Sequence, residues 1–442
     1  MISDERLRAW GLSGPTVLLF GPIVRVLLAV LVLAFGAQRL LVYAEVARTT
    51  VTVRHMADFD VFYRSSWLVT HGRGDPYDVV ALSGTSGLVR TPNLNPPHAV
   101  LLLVPLTFFD PRAALWIWAA ASAASALLAL RIIFREVPIR LTPTSAAWTL
   151  FALLWAAPTG ILLFAAQISW LFWGPVTWVW AAARRAQWMR AAFVLGVAMS
   201  IKPFLGLLLV ILALRRRWLA LAIALTTAIG CFAIGIVALG WPTFVSWIHA
   251  IRSITWAAHI FNASLFGFIE RLVGHHPESI WKLAPLASAP GLVRPLWLLA
   301  TAGVVAASAW ALSRQDSADA TESAASTRLT VDRMFAVTLS EALLVSPLAW
   351  VYYVFFLAGP FIALCADGRW WHAFGWRKIV LAGAAFILTL GPGTLASAQP
   401  HAWATLSIGS GYFWSLLAFW MCALPDRRVT PVDQNPGARR PR

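Results

Sequence analysis

Residues Arg190 to Arg217 read RAAFVLGVAMSIKPFLGLLLVILALRRR, and this stretch decides the fold. Twenty-four residues, 191–214, are almost wholly apolar, with arginine at both ends. About 20 apolar residues suffice to cross a bilayer once as a helix. Arginine-rich loops stay on the cytoplasmic side. A single crossing would put the two arginine clusters on opposite faces, which the charge rule opposes. Two half-helices meeting near Ser200-Ile201-Lys202-Pro203 resolve the conflict. Proline removes a helix donor and clashes with the preceding turn. Broken helices survive at membrane depth where they line a polar cavity.

The rest of the chain supports a membrane setting. Of 442 residues, 59% are hydrophobic and 12% are charged. Soluble domains carry about 25% charged residues. Apolar runs recur at roughly 16–37, 98–109, 112–134, 145–166, 168–183, 191–214, 218–239, 286–313, 334–345, 347–366, 379–395 and 406–424. The expected fold class is all-α, a polytopic integral membrane protein with about 10–13 transmembrane helices. The net charge of +16 comes from 35 basic and 19 acidic residues. On a soluble chain it would suggest nucleic acid. Here it marks cytoplasmic loops against anionic lipid.

The expected organisation is a cytoplasmic tail at 1–15 and one transmembrane domain at 16–424. A large first external loop is expected at 38–98 and a second external region at 240–285. A polar cytoplasmic loop is expected at 314–333, and a disordered basic tail at 425–442. Cys231, Cys365 and Cys422 lie in apolar runs and form neither a metal spacing nor a disulfide framework. No glycine-rich nucleotide loop, HExxH or GxSxG is present, which opposes an ATP-driven pump. No metal site and no cofactor is expected.

Chemistry concentrates in a few places. Lys202 is the lysine inside an apolar run, and an ionisable group at membrane depth is by default functional. A cation at a helix break suits an anion such as a lipid phosphate. Asp58 and Asp60 sit among Phe59, Phe62 and Tyr63 in the first external loop. A carboxylate partly desolvated by aromatics has a raised pKa, which suits a general base. Positions i and i+2 of a helix face different ways, so the two acids do not form one pair. Asp75 and Asp78, in Gly-Asp-Pro-Tyr-Asp, read as turn formers. Pro97, in Asn95-Pro96-Pro97-His98, opens a helix. Arg271, Glu270 and His275-His276 fall on the second external region.

The ordered set Asp58-Phe59-Asp60-Val61-Phe62-Tyr63, Gly74-Asp75-Pro76-Tyr77-Asp78 and Asn95-Pro96-Pro97 resembles the DFxVYY, G-x-PYD and YPP elements of glycosyltransferase family 87. Ala166-Gln167, Ile201-Lys202-Pro203, Asn262-Ala263-Ser264-Leu265-Phe266-Gly267 and Ser346-Pro347-Leu348-Ala349-Trp350 resemble its GQ, IKP, NQSLxG and SPxxW elements, in the family's order. The resemblance implies a GT-C fold and an inverting hexosyltransferase of the cell membrane with its site on the external face. It implies a polyprenyl-phosphate sugar donor, with mannose as the expected sugar and arabinose as the alternative, and a lipid or glycan acceptor. Asp58 would be the catalytic base. Asp60, Tyr63, Gln167, Lys202, Asn262, Ser264, Trp350 and Tyr352 would bind substrate. The chain departs from the pattern at Ala166, at Ala263, and at Tyr352-Tyr353, where the family often has a histidine pair. A transporter or flippase is the alternative that also explains a buried lysine at a helix break.

Overall fold

The computed structural model describes residues 57–84, 91–137, 143–254, 256–275, 284–316, 324–367, 375–388 and 401–424, with a few helical positions between Val30 and Glu45. The expected first crossing at 16–37 and the two tails fall almost wholly outside the described residues. The described residues are helical, and their one β contact is an isolated bridge between Asn262 and Trp350. The chain is an all-α polytopic membrane protein. Among the described residues, four helices are long and apolar enough to span: Pro111–Glu136, Trp218–Leu239, Pro290–Ser313 and Ala402–Ala423. Large apolar side chains such as Leu127, Ile229 and Val237 stand on their outer surface, as lipid contact requires.

Helix α1, Ala57–His71, carries the two acids in its first turn. The short α2, Val79–Gly84, follows a turn built by the expected aspartates. Asp75 accepts from the Tyr77 amide at 2.9 Å, and Asp78 from the Val80 amide at 2.9 Å. Proline opens both α3, Pro97–Leu103, and α4, Pro111–Glu136, and Asp110 caps α4 through the Arg112 and Ala113 amides. The expected run 145–166 divides into α5, Pro143–Trp155, and α6, Ala157–Ala165. Helix α7, Ser169–Arg184, packs along α4.

Helix α8 is Trp188–Ile201, and its C-cap is Lys202. A 3-10 turn over Pro203–Leu208 and the short α9, Leu209–Leu214, complete the stretch. The 14-residue outward leg measures about 21 Å at 1.5 Å per residue. Six 3-10 and six α residues bring the return leg to about 21 Å as well. The legs match, and residues 186–190 and 216–220 line one common cavity. The two arginine clusters therefore share one end of the bundle, with Lys202 at the apex between them. Helix α10, Trp218–Leu239, then runs beside α8. Gly196 permits that approach: a Cβ there would lie 2.6 Å from the Ala224 carbonyl oxygen and 2.6 Å from Thr227 Cβ. In a bilayer, lipid tails are as apolar as leucine, so close backbone packing at small residues holds helices together.

Helices α11, Trp241–Arg252, and α12, Leu265–Val273, form the 240–285 region. They precede α13, Val293–Asp316, and α14, Ala324–Val345. The expected polar loop at 314–333 is shorter than its composition suggests, because α14 already begins at Ala324. Asp332 is the physical reason. It is buried, takes Arg184 at 2.9 Å, and accepts from Trp180 Nε1 at 2.8 Å. A paired carboxylate can be buried, so polarity alone misplaced the boundary. A 3-10 turn, Val351–Leu357, leads into α15, Ala358–Ala366. The chain ends with α16, Gly375–Ile387, α17, Ala402–Leu406, and α18, Gly411–Ala423.

Candidate active site

Two turns bring the chemistry of the first loop toward the hairpin apex. Ser65 Oγ donates to the Pro76 carbonyl at 2.8 Å, and Ser66 Oγ to the Val100 carbonyl at 2.8 Å. Tyr77 donates from its hydroxyl to the Asn95 carbonyl at 2.8 Å. The loop, α1 and the start of α3 are thereby tied into one unit. Within it the Asn93 side chain accepts from the Asn95 amide at 2.9 Å and from its Nδ2 at 3.1 Å. The oxygen of the Asn95 side chain is thus directed away, and Lys202 Nζ donates to it at 3.1 Å. Beside the lysine, Ser200 Oγ pairs with His98 Nε2 at 3.0 Å.

Gln167 reaches the same region from the other side. Its Nε2 donates to Asp58 Oδ2, while its Oε1 accepts from the Ile168 amide at 3.0 Å. The backbone explains this aim. Ala166 closes α6 in the left-handed region at φ 46°, and the Gln167 amide turns back to the Leu162 carbonyl at 3.1 Å. Glycine is the residue that adopts this conformation at no steric cost. The departure from GQ at Ala166 therefore keeps the turn and adds strain to it. Trp118 Nε1 donates to the Ala166 carbonyl at 2.9 Å and holds the turn in place.

Asp58, Gln167 and Lys202 form an acid, an amide donor and an ammonium drawn together from three distant segments. Burial pushes the Asp58 carboxyl up to about 6; the Gln167 hydrogen bond and the Lys202 charge pull the other way. The Lys202 ammonium also lies 5.7 Å from the Tyr353 ring centroid, a cation–π distance. Tyr352 and Tyr353 are buried, stand edge-to-face at 5.2 Å and feel the Asp58 charge. Asn95 joins this group although sequence reasoning did not select it, and so does Tyr353, which the sequence marks as a departure from the family's histidine pair. The signal for Asn95 was present in Asn95-Pro96-Pro97 but was absorbed there into helix initiation. Asp60 faces elsewhere on α1, within the field of Arg64 one turn later. This separation of the two acids is the one that helix geometry requires.

Three expected substrate contacts are spent on the protein itself. The Tyr63 hydroxyl donates to the Phe109 carbonyl at 2.8 Å, with its ring buried against Phe59. Asn262 is fully buried and uses its whole amide. Nδ2 donates to the carbonyls of Ala257 at 2.8 Å and Pro347 at 3.0 Å; Oδ1 accepts from the Ala349 amide at 2.9 Å and the Ser264 amide at 3.2 Å. Ser264, also fully buried, caps α12 through the Gly267 amide at 3.0 Å and donates to Pro347. A side chain with every donor and acceptor occupied has none left for a sugar. Asn262 and Ser264 instead clamp the 240–285 region to the Ser346–Trp350 segment.

That clamp positions Trp350. Its ring lies 5.6 Å from His259 and 6.2 Å from Tyr352, the latter stacked. It remains partly exposed. Burial, then the Arg271 charge, pushes His259 down to about 4, so its ring is neutral. Arg271 is buried as well. It donates to the carbonyls of His259 at 3.0 Å and Asn262 at 3.1 Å and to Ser410 Oγ at 3.0 Å. It is a brace of the loop, and no spacing rule singles it out from the sequence. Among the described residues, no group of three or more His, Cys, Asp or Glu could hold a metal.

No curated protein and no solved structure matches the chain. The family model described as Glycosyltransferase family 87 matches residues 93–347. That range begins at Asn93, so Asp58 and the Gly74–Asp78 turn precede it. It takes in Asn95, Gln167, Lys202 and Asn262, and runs to Pro347 at the clamp. It covers more than half of the sequence, and on this ground the chain belongs to glycosyltransferase family 87, as a membrane glycosyltransferase.

Proposed function

We propose that this glycosyltransferase moves a sugar, mannose in the first place and arabinose as the alternative, from a polyprenyl-phosphate donor to a hydroxyl of a lipid- or glycan-linked acceptor. The reaction takes place on the external face of the cell membrane. The observation that carries the reading is the meeting of Asp58, Gln167 and Lys202 at the hairpin apex. The Asp58 carboxylate takes the proton of the acceptor hydroxyl. The acceptor oxygen attacks the anomeric carbon from the face opposite the phosphate. The bond from that carbon to the phosphate oxygen breaks, and its electron pair leaves on the polyprenyl phosphate. One displacement inverts the configuration.

The protein's share is electrostatic and positional. Lys202 offsets the charge that grows on the leaving phosphate, and such stabilisation is worth most where water is excluded. Asn95 fixes the direction of its ammonium. Gln167 holds the Asp58 carboxylate in one orientation. A carboxyl with a pKa near 6 is a stronger base than an ordinary aspartate and is still ionised at pH 7. Tyr352 and Tyr353 occupy the family's frequent histidine positions and bring hydroxyl groups without positive charge. Trp350, partly exposed and edged by His259, offers an aromatic face to a sugar ring.

The test uses purified protein in lipid with radiolabelled polyprenyl-phosphate mannose and a membrane-lipid extract as acceptor, beside Asp58→Asn and Lys202→Ala. Transfer by the wild type that is lost in Asp58→Asn, with donor binding kept, is the expected result. Full activity in Asp58→Asn overturns the base assignment. Absence of transfer with both the mannose and the arabinose donor overturns the donor class and favours transport.

A further inference from the structure

A second charged concavity lies at the other end of the hairpin, about 20 Å from Lys202 along α8. Its volume is about 680 Å³, and it is lined by residues 186–190 and 216–220. Two tight turns frame it, each closed by a left-handed residue, Ala186 at φ 57° and Arg216 at φ 51°. Each turn feeds a helix, α8 from Trp188 and α10 from Trp218. The N-caps, Gln187 and Arg217, supply no side-chain oxygen to the first amides. Uncapped amides at two helix starts leave partial positive charge at the rim.

The side chains add to that charge. Arg190, Arg216 and Arg217 line the cavity, and no carboxylate does. Glu136 and Asp332 are committed to other arginines: Glu136 pairs with Arg184 and Arg185, and Asp332 with Arg184. The walls carry apolar groups at the same level. Trp218, Leu219 and Met189 are exposed in the cavity wall. Trp188 is buried beneath the Arg217 guanidinium, 5.6 Å from its ring centroid. Cationic groups with tryptophans beside an apolar surface match the boundary between headgroups and acyl chains.

We infer that this cavity is a binding site for an anionic phospholipid of the cytoplasmic leaflet. The phosphate sits between Arg190 and Arg216 at the two helix starts, and an acyl chain lies along Met189, Leu219 and the exposed Phe193. The site is separate from the candidate active site and does not depend on the donor. It gives the base of the hairpin a lipid anchor, tying together the two turns from which the Lys202 apex is held.

Native mass spectrometry of the full chain in detergent tests this, with phosphatidylglycerol and phosphatidylcholine of equal chain length as probes. The variant is Arg190→Gln with Arg216→Asn, asparagine being the residue besides glycine that tolerates the left-handed turn. Arg217 stays, so its stacking on Trp188 is kept. Arg112→Gln with Arg294→Gln removes the same charge from exposed positions elsewhere. The wild type is expected to favour phosphatidylglycerol by about thirtyfold, which is about 1 kcal/mol for each of two arginines at a membrane surface converted at 1.4 kcal/mol per tenfold. The first variant should fall to about twofold, and the control should keep the preference. Unchanged preference in the first variant overturns the inference, and so does equal loss in the control. Displacement of bound phosphatidylglycerol by millimolar inorganic phosphate reassigns the cavity to a free anion and overturns the lipid. A monodisperse gel-filtration profile for each variant separates lost binding from lost fold.

Discussion

Asp58 carries the sharpest expectation at the scale of single residues. A base must be ionised, and burial raises its pKa to about 6. The transfer rate should therefore climb about tenfold per pH unit below pH 6 and level off above it, read as kcat/KM against pH. Gln167→Leu removes a hydrogen bond that lowers the Asp58 pKa. Its profile should keep the same shape with the rising limb displaced to higher pH. A limb that stays in place would show that Gln167 does not act on the Asp58 carboxylate. Ala166 gives an opposite kind of prediction. Its left-handed φ of 46° costs an L-residue roughly 1 kcal/mol. Ala166→Gly should raise the thermal midpoint in detergent while leaving transfer intact, and a fall in stability would contradict the strain.

At the scale of elements, the clamp and the hairpin behave differently. Asn262→Ala would leave the Ser264 and Ala349 amides and the Ala257 carbonyl without their partner in a fully buried place. Unsatisfied buried groups cost about 1–3 kcal/mol each, so destabilisation of several kcal/mol is expected by thermal denaturation. Loss of activity with unchanged stability would instead restore a substrate role to Asn262. Gly267→Ala attacks the same contact from α12, because its Cβ would stand 2.6 Å from Asn262 Nδ2. Proline breaks and terminal charge were enough to read the hairpin from the sequence. The clamp was visible only as a motif, since nothing in Asn262-Ala263-Ser264 says whether its amide faces a ligand or the backbone of residues 257–264 and 347–349.

The whole molecule is tested by topology. Both arginine turns lie at one end of the bundle. In a background with Cys231, Cys365 and Cys422 replaced, Gln187→Cys and Arg216→Cys should be labelled by a membrane-impermeant reagent from the same side. Arg73→Cys, in the loop tied to Asn95, should be labelled from the opposite side. Opposite labelling of the first two would mean that residues 188–214 cross the bilayer once and that Lys202 is not at a hairpin apex.

The sequence by itself determined the membrane class, the helical fold, the break at Lys202-Pro203, the turn roles of Asp75 and Asp78, and the divergence of Asp58 from Asp60. Each of these follows from length, charge or geometry over a few neighbouring residues. Only the tertiary structure decided what meets at the apex. Gln167 stands 109 positions from Asp58, and Lys202 stands 107 from Asn95. It also decided that Tyr63, Asn262 and Ser264 are spent on backbone carbonyls and amides, and that Asp332 is buried against Arg184. A side chain's partners depend on which distant backbone packs against it, and no local rule of spacing carries that information.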